Sequence, residues 1–86
     1  MAKKSRGIHV TGSSGAGEPV DISADDHTFE NEIVGLWVGT GGDVVVRLAD
    51  DDEDQTFLNV PDGTLLPIRP TIVRDTTTAD DMIGLL

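Results

Sequence analysis

The chain has 86 residues and a mass of 9.1 kDa, which is room for one small domain. Six Lys and Arg stand against sixteen Asp and Glu, a formal charge of −10, and three of the six cations lie within the first six residues. Residues 7–86 carry a formal charge of −13, so the folded part of the chain is unsuited to bind a nucleic-acid backbone or an anionic membrane. Without cysteine the chain forms no disulfide and has no thiolate, and no apolar run approaches the roughly 20 residues that span a bilayer.

The start of the chain and its small size lead to two further expectations. No apolar segment follows the basic first residues, so we expect no signal peptide and no secretion by that route. A domain of this size buries only about 60% of the surface that its unfolded chain exposes, and three aromatic residues make the core light. Pairing with copies of itself or with a partner would add stability, and an enzyme pocket of about 300 Å³ is hard to build here.

Residues 1–17 are predicted to form a flexible, Gly- and Ser-rich basic arm that precedes an all-β domain at 18–86. The arm carries Lys3, Lys4 and Arg6, and almost nothing in it is apolar enough to bury. Two interpretations stay open: a disordered tail, or an arm that becomes ordered when its cations meet an acidic neighbour.

The segment 18–32 is polar and predicted to be a loop, with a short extended piece at 20–22. From Ile33 the pattern alternates with a period of two residues, which is typical of strands. A strand at 33–38 should place Val34, Leu36 and Val38 on one face and Ile33 and Trp37 on the other. A glycine-rich turn at 39–43 then leads to a strand at 44–49, with Val44, Val46 and Leu48 directed inward and Arg47 outward.

The second half of the chain continues the strand pattern. An acidic loop at 50–54 precedes a strand at 55–60, with Phe57 on one face and Leu58 and Val60 on the other. A tight turn at 61–63 follows, then a segment at 65–74 that Pro67 and Pro70 bend or confine to a sheet edge, and a last apolar strand at 81–86. Five to six short strands and no convincing helix predict a small antiparallel β-barrel or sandwich.

Acidic and imidazole side chains are the candidate metal ligands. An EF-hand loop beginning at Asp50 would need Gly and Glu where Gln55 and Pro61 stand, so the acidic run is interpreted as a solvated hairpin tip that resists edge pairing. Adventitious binding of a divalent cation there stays open. His9 and His27 are the two imidazoles, and they are too poor in neighbouring ligands to predict a zinc site.

No residue set predicts catalysis or a bound cofactor. The stretch 39–42 lacks the Gly-Lys-Ser/Thr ending of a phosphate loop and leads into a strand. Every serine lies in the arm or the polar loop, and none stands beside a rigidly placed histidine. We therefore expect neither an enzyme nor a cofactor.

Three further arginines, Arg47, Arg69 and Arg74, lie on predicted strands of this acidic domain. They either form intramolecular ion pairs or bridge to an acidic loop of a neighbouring copy, where guanidinium groups bind carboxylates in a bidentate geometry. Together with Lys3, Lys4 and Arg6 they are the candidate contact residues.

From about Val20 to the C-terminus, roughly three quarters of the chain, the order of features resembles a known family. The resemblance rests on the SADD at 23–26, the LWVGTGGDV at 36–44, the FLNVPDGTLLPIR at 57–69 and the TTA at 77–79 followed by Ile83 and Leu85. The chain is similar to the small spike base proteins of tailed bacteriophages and of alphaproteobacterial gene transfer agents. It departs from them at Trp37, where tyrosine is usual, and in its heavier acidic run at 50–54.

The resemblance implies a virion structural protein without catalytic residues. It implies copies that assemble in a symmetric ring on the particle surface after synthesis in the bacterial cytoplasm, and that hold a head spike or fibre through contacts with major capsid or spike proteins. A capsid decoration protein and a neck or tail adaptor are the near alternatives. An acidic inhibitor that mimics DNA, and a hydrolase accessory or ligand-binding module, are alternatives of other classes.

Overall fold

The computed structural model describes residues 14–86, which form eight short β-strands. They are β1 (Gly17–Pro19), β2 (His27–Thr28), β3 (Gly35–Thr40), β4 (Gly42–Leu48), β5 (Asp54–Val60), β6 (Thr64–Leu66), β7 (Pro70–Val73) and β8 (Asp80–Leu85). Within residues 14–86 there is no helix long and apolar enough to span a membrane.

The strands form two four-stranded sheets in which every pairing is antiparallel. Sheet I has the order β1-β8-β3-β6 and sheet II the order β2-β7-β4-β5. The inner faces of the two sheets pack against each other as a sandwich. The predicted all-β class is confirmed, in its sandwich form.

The core lies between the two sheets and consists almost entirely of aliphatic side chains. Its buried members are Leu36, Val38, Val44, Val46, Val60, Val73, Ala79 and Met82, with half-buried Phe29 and Phe57 packed against them. The expected light core is therefore confirmed for the described part of the chain. Among residues 14–86, Thr77 is the one buried polar side chain, at 7% exposure.

Strands β3 and β4 confirm most of the predicted alternation. Val44 and Val46 are buried, as are Leu36 and Val38, whereas Trp37 is on the opposite face of its sheet and exposed. The predicted turn at 39–43 is shorter than expected. Only Gly41 separates β3 from β4, and a side chain there would clash with the carbonyl oxygen of Val60, so glycine is required where the chain passes between the sheets.

The predicted faces of Ile33 and Val34 are wrong. Ile33 is buried at 1% exposure and Val34 is exposed at 54%. Both residues precede β3, which begins at Gly35, so the pleat of the strand does not fix the directions of their side chains.

The predicted faces of β5 are also wrong in part. Phe57 and Val60 point inward, while Leu58 is 66% exposed. Asn59 adopts a left-handed conformation (φ 56°), and the register between β4 and β5 shifts between Gly42 and Val44. This irregularity adds a residue to one side of the pairing and inverts the alternation after Leu58.

The proline-containing segment behaves as a bend. Gly63, at φ 67°, ends the turn after Pro61, and β6 follows as an edge strand of sheet I. Residues 67–69 then carry the chain to sheet II, where Pro70 begins β7. Because β7 lies between β2 and β4, the expected edge position applies to β6 alone.

The sequence pattern predicts neither of the first two strands. The expected extended piece at 20–22 is not a strand, whereas β1 lies before it and β2 after it. The predicted boundary between arm and domain falls at the start of β1, since Gly17 pairs with Leu85. The hydroxyl of Ser14 also donates to the carbonyl oxygen of Leu86 over 2.6 Å. The rest of the predicted arm, residues 1–13 with Lys3, Lys4, Arg6 and His9, lies outside the described residues.

Candidate functional site

Sheet II carries an ion-paired network on its outer face, and its strand β5 also exposes Leu58 at 66%. Arg47 on β4 donates from Nε to Oδ1 of Asp54 at the start of β5, over 3.2 Å. Arg74, just after β7, donates from Nε to both oxygens of Asp54, each at 3.2 Å, and from Nη1 to Asp26 at 3.0 Å. Two guanidinium groups therefore share one carboxylate, and this face satisfies its own charges.

Hydrogen bonds to the charged forms shift the pKa values in this network. The pKa of Asp26 is lowered by the backbone N–H of Asp75, which donates over 2.8 Å, and by Arg74. The pKa of Arg74 is raised by its bonds to Asp26 and then Asp54. Both groups stay ionised at neutral pH, so the pairing persists under ordinary conditions.

Arg69, in the connection between β6 and β7, pairs separately: its Nη2 donates over 2.6 Å to Oδ2 of Asp50, which lies in the loop between β4 and β5. Both side chains are more than half exposed, so the pair contributes little to stability. The three predicted contact arginines thus have carboxylate partners in their own chain, which is the first of the two alternatives. Bridging to a neighbouring copy stays a prediction.

A second polar cluster connects the two sheets along one side of the sandwich. Oε2 of Glu18 on β1 lies 2.8 Å from Nε2 of His27 on β2. Its Oε1 accepts from the side-chain amide of Asn31 over 2.8 Å, and the backbone N–H groups of Glu30 and Asn31 also donate to the carboxylate. Burial alone would raise the pKa of Glu18, but these hydrogen bonds outweigh it and the pKa is lowered. This contact joins the edge strands of sheets I and II.

Within residues 14–86, one group of three carboxylates brings its oxygen atoms within 4.8 Å of one another: Asp25, Asp26 and Asp75. Asp26 in this group already accepts bonds from Arg74 and from the N–H of Asp75. His27 contacts Glu18 instead. In the predicted acidic loop at 50–54, two carboxylates, those of Asp50 and Asp54, accept hydrogen bonds from arginines. Asp26, Asp50 and Asp54 are therefore engaged in ion pairs with arginines of the same chain.

Two open clefts of about 300 and 270 Å³ lie at the surface, and neither is an enclosed pocket, so the expectation that a walled enzyme pocket is hard to build here stays a prediction. The larger cleft contains Ser23, whose hydroxyl donates to Asp21 over 2.6 Å. That hydroxyl and the N–H of Ser23 lower the pKa of Asp21, so its carboxylate is a weak base at neutral pH. Asp21 is therefore poorly suited to activate Ser23 as a nucleophile.

The outer face of sheet I carries a row of apolar residues across all four strands. Trp37 on β3 stands opposite Leu65 on β6 and opposite Ile83 on β8. Ile83 in turn stands opposite Pro19 on β1. These four residues, the Trp37 row, cross the whole sheet. The three large side chains, Trp37, Leu65 and Ile83, are 39%, 43% and 38% exposed.

Glycines occupy part of the rows on either side of the Trp37 row, with Leu85 between the glycines of one row and Asp81 beside Gly39 in the other. On one side Gly17 and Gly35 both pair with Leu85. On the other side lie Gly39 and Gly63, and a Cβ atom added at Gly63 would be 3.9 Å from the Trp37 ring. Side chains of the row cover some of these glycines: a Cβ atom added at Gly17 would lie 2.7 Å from Cγ2 of Ile83, and one added at Gly35 would lie 3.4 Å from Cδ1 of Leu65.

The sequence alone predicted only part of this surface. The alternation in β3 directs Trp37 away from the core, but nothing local to Trp37 indicates that Leu65 and Ile83 lie beside it. In β8, Ile83 lies between Met82 and Gly84, which are buried, and it is itself exposed; a period of two residues in this strand would therefore indicate that Ile83 faces outward. No family model, curated protein or solved structure matches the chain.

Proposed function

We propose that the chain is a virion structural protein of a tailed bacteriophage or gene transfer agent, and that its copies form the base that attaches a head spike or fibre to the particle. It is made in the bacterial cytoplasm and acts at the particle surface, where it contacts copies of itself and capsid or spike proteins. Capsid decoration and a neck or tail adaptor are near variants of this role.

The observation that carries the proposal is the Trp37 row on the outer face of sheet I. A chain with sixteen carboxylates has ample polar side chains to cover a sheet, yet this face exposes tryptophan, leucine and isoleucine side by side. Contiguous exposed apolar surface of this kind is characteristic of interaction sites. A protein whose role is assembly needs such a face.

The contrast between the two sheets supports the same conclusion. The outer face of sheet II pairs Arg47 and Arg74 with carboxylates of the same chain and is suited to contact with water. The outer face of sheet I has no charged side chain in the Trp37 row. The two sheets therefore differ in that the charged groups are paired on sheet II and the apolar side chains form a continuous row on sheet I, although sheet II also exposes Leu58.

The rival role as a DNA mimic is less well supported. Mimicry requires free carboxylates spaced like phosphates, but in the acidic run at 50–54 Asp50 is paired with Arg69 and Asp54 with Arg47 and Arg74. The densest acidic segment is thus partly neutralised within the chain.

The test is co-purification with particles from cells that encode the chain. Particles are banded on a density gradient and their proteins are quantified by mass spectrometry. We expect the chain to band with the major capsid protein at a fixed molar ratio through repeated gradients. Recovery only among free proteins at the top of the gradient would contradict the proposal, as would tight binding of a monomer to a basic DNA-binding protein at low salt.

A further inference from the structure

We infer that the chain's own N-terminal segment, residues 1–13, docks on the outer face of sheet I, with Ile8 against the Trp37 row and Arg6 beside Asp81. The inference deepens the proposed function and rests on it. The segment covers the Trp37 row in the free chain, and a capsid or spike protein replaces it on the particle.

The segment joins the sandwich at one end of this face. The hydroxyl of Ser14 donates to the carbonyl oxygen of Leu86 over 2.6 Å, and the N–H of Leu86 donates to the carbonyl oxygen of Ala16 over 3.1 Å. Thirteen extended residues reach about 45 Å, whereas the four residues along β8 from Leu85 to Asp81 span about 13 Å. Residues 1–13 are therefore long enough to turn back at Ser14 and cross the face from end to end.

The face changes from apolar to acidic along that path. From the end nearest Ser14, the outward residues of β8 are Leu85, then Ile83 in the Trp37 row, then Asp81. A Cβ atom added at Gly39, the neighbouring outward position of β3, would lie 2.9 Å from Cβ of Asp81, which places Asp81 on this face. Successive positions are two residues apart, about 6.7 Å at the usual rise of a strand.

The even-numbered residues of the segment have the same order. Read back from Ser14 they are two apolar residues and then two cations: Val10, Ile8, Arg6 and Lys4. In an extended chain, alternate residues share a face and are also about 6.7 Å apart. With Ile8 at the Trp37 row, Arg6 comes beside Asp81, and residues 11–13, which include a glycine, remain for the reversal of the chain.

Charge favours this occupant over a second copy. The three arginines of residues 14–86 all pair with carboxylates on or beside sheet II. At the far end of sheet I, Asp21 and Asp80 line one cleft and Asp81 follows, and within residues 14–86 none of the three has an arginine partner. The chain's other three cations all lie in residues 3–6. The basic segment is therefore attracted to this end, whereas the acidic body of a second copy is repelled.

The balance of contacts predicts partial docking. Ile8 and Val10 gain apolar contact, but ordering the residues around them offsets much of that gain. We therefore expect the segment to cover Trp37 in about half of the free chains at low salt. Because the segment is attached at Ser14, this fraction does not depend on chain concentration. A capsid or spike protein with a larger contact area can displace the segment.

Trp37 is the probe for the experiment, because it is the one tryptophan in the chain. Its quenching by acrylamide, which is uncharged, is measured on the full chain at about 1 µM in about 50 mM and about 500 mM NaCl. At low salt, the quenching constant of wild type should be about half that of Ile8→Ser. At high salt the two constants should converge, because salt screens the attraction between Arg6 and Asp81. Sedimentation velocity should give a monomer throughout.

Two matched pairs of variants locate the contact. Arg6→Gln and Lys3→Gln each remove one cation, but position 3 is odd-numbered and lies on the other face of the extended segment. Asp81→Asn and Asp52→Asn each remove one exposed carboxylate, and asparagine suits the left-handed conformation of residue 81 (φ 53°).

The first member of each pair should raise the quenching constant about 1.5-fold or more, and the second should change it by less than about 1.2-fold. Arg6→Gln combined with Asp81→Asn should have no larger effect than either change alone, since both remove the same contact. Circular dichroism checks that the variants of Asp81 and Asp52 fold.

Three outcomes would overturn the inference. The first is a wild-type chain whose Trp37 is quenched as strongly as that of Ile8→Ser at low salt. The second is an equal effect of the two variants in either matched pair. The third is protection of Trp37 that grows with concentration together with the sedimentation coefficient, which would identify a second copy as the occupant. Docking in a chain that is absent from particles would support the inference and contradict the proposed function instead.

Discussion

Replacing Thr77 by valine should destabilise the domain far more than the same replacement at Thr78. The hydroxyl of Thr77 accepts a hydrogen bond from the N–H of Val45 over 2.8 Å and donates to the carbonyl oxygen of Val45 over 3.2 Å. Thr77 therefore continues the pairing along β4 after β7 has ended at Val73. Valine has nearly the same shape and loses both bonds.

The magnitude follows from the loss of a partner in a buried place. The carbonyl oxygen of Val45 keeps the N–H of Arg74, at 2.8 Å, but the N–H of Val45 is left unsatisfied beside the 7% exposed side chain of Thr77. An unsatisfied buried N–H costs about 1–3 kcal/mol, and the added methyl group returns less than about 1 kcal/mol. We expect a net loss of about 1–2 kcal/mol, or about 5–15 °C in melting temperature.

Thr78→Val is the matched control. The hydroxyl of Thr78 also accepts from a backbone N–H over 2.8 Å, that of Asp43, but Thr78 is exposed and water replaces it. Its change should stay within about 0.5 kcal/mol. Urea unfolding, followed by Trp37 fluorescence and by circular dichroism, gives both free energies of unfolding. Equal losses in the two variants, or a loss at Thr77 below about 0.5 kcal/mol, would refute the reasoning from burial.

Three further changes test other contacts. Glu18→Gln should destabilise the domain by about 1 kcal/mol at pH 7. Because the pKa of Glu18 is lowered from 4.5 in the folded chain, the difference in free energy of unfolding between variant and wild type should shrink as the pH falls below 4.5. A difference that is constant with pH would contradict this. Gly84→Ala should lower the free energy of unfolding by about 1–3 kcal/mol, since the added Cβ atom would lie 2.6 Å from Cε1 of Phe29. Gly15→Ala is the control: no atom lies within 4 Å of its added Cβ, so the melting temperature should not change. Arg74→Gln should lower the melting temperature more than Arg69→Gln, because the exposed ion pair of Arg69 with Asp50 contributes less than about 0.5 kcal/mol to stability. The reverse order would show that the contact of Arg74 with the shared Asp54 is unimportant.

The sequence predicts the all-β class because the alternation in β3 and β4 is strong and its period is local. Leu36, Val38, Val44 and Val46 alternate with outward residues over consecutive positions, and the strand geometry alone directs them to one face. The turn at Gly63 is similarly local, since a left-handed residue after Pro61 and Asp62 suits glycine.

The errors arise where the conformation depends on distant residues. The alternation predicts Leu58 on the face of Val60, because no sequence signal marks Asn59 as left-handed. The N–H of Asn59 donates to the carboxylate of Asp43, sixteen residues away. Strands β1 and β2 have three and two residues, too few for a period, and they exist because β8 and β7 provide partners.

The candidate surfaces depend even more on long-range placement. The sequence left two alternatives open for the arginines because Asp26 and Arg74 are 48 positions apart and only the fold brings them to 3.0 Å. The Trp37 row needs three antiparallel registers to bring Pro19, Leu65 and Ile83 into line with Trp37. Composition indicated that partners would add stability, but it did not indicate which face receives them.

Oxidative footprinting of Trp37 in purified particles tests the central claim most directly. The peptide that contains Trp37 is quantified by mass spectrometry in particles and in the dilute free chain, with the exposed Leu58 of sheet II as an internal reference. The account predicts that the peptide is present in particles and that Trp37 is oxidised several-fold more slowly there, while Leu58 is less affected. Trp37 oxidised at the same rate in both samples, or a chain missing from the particles, would contradict the account.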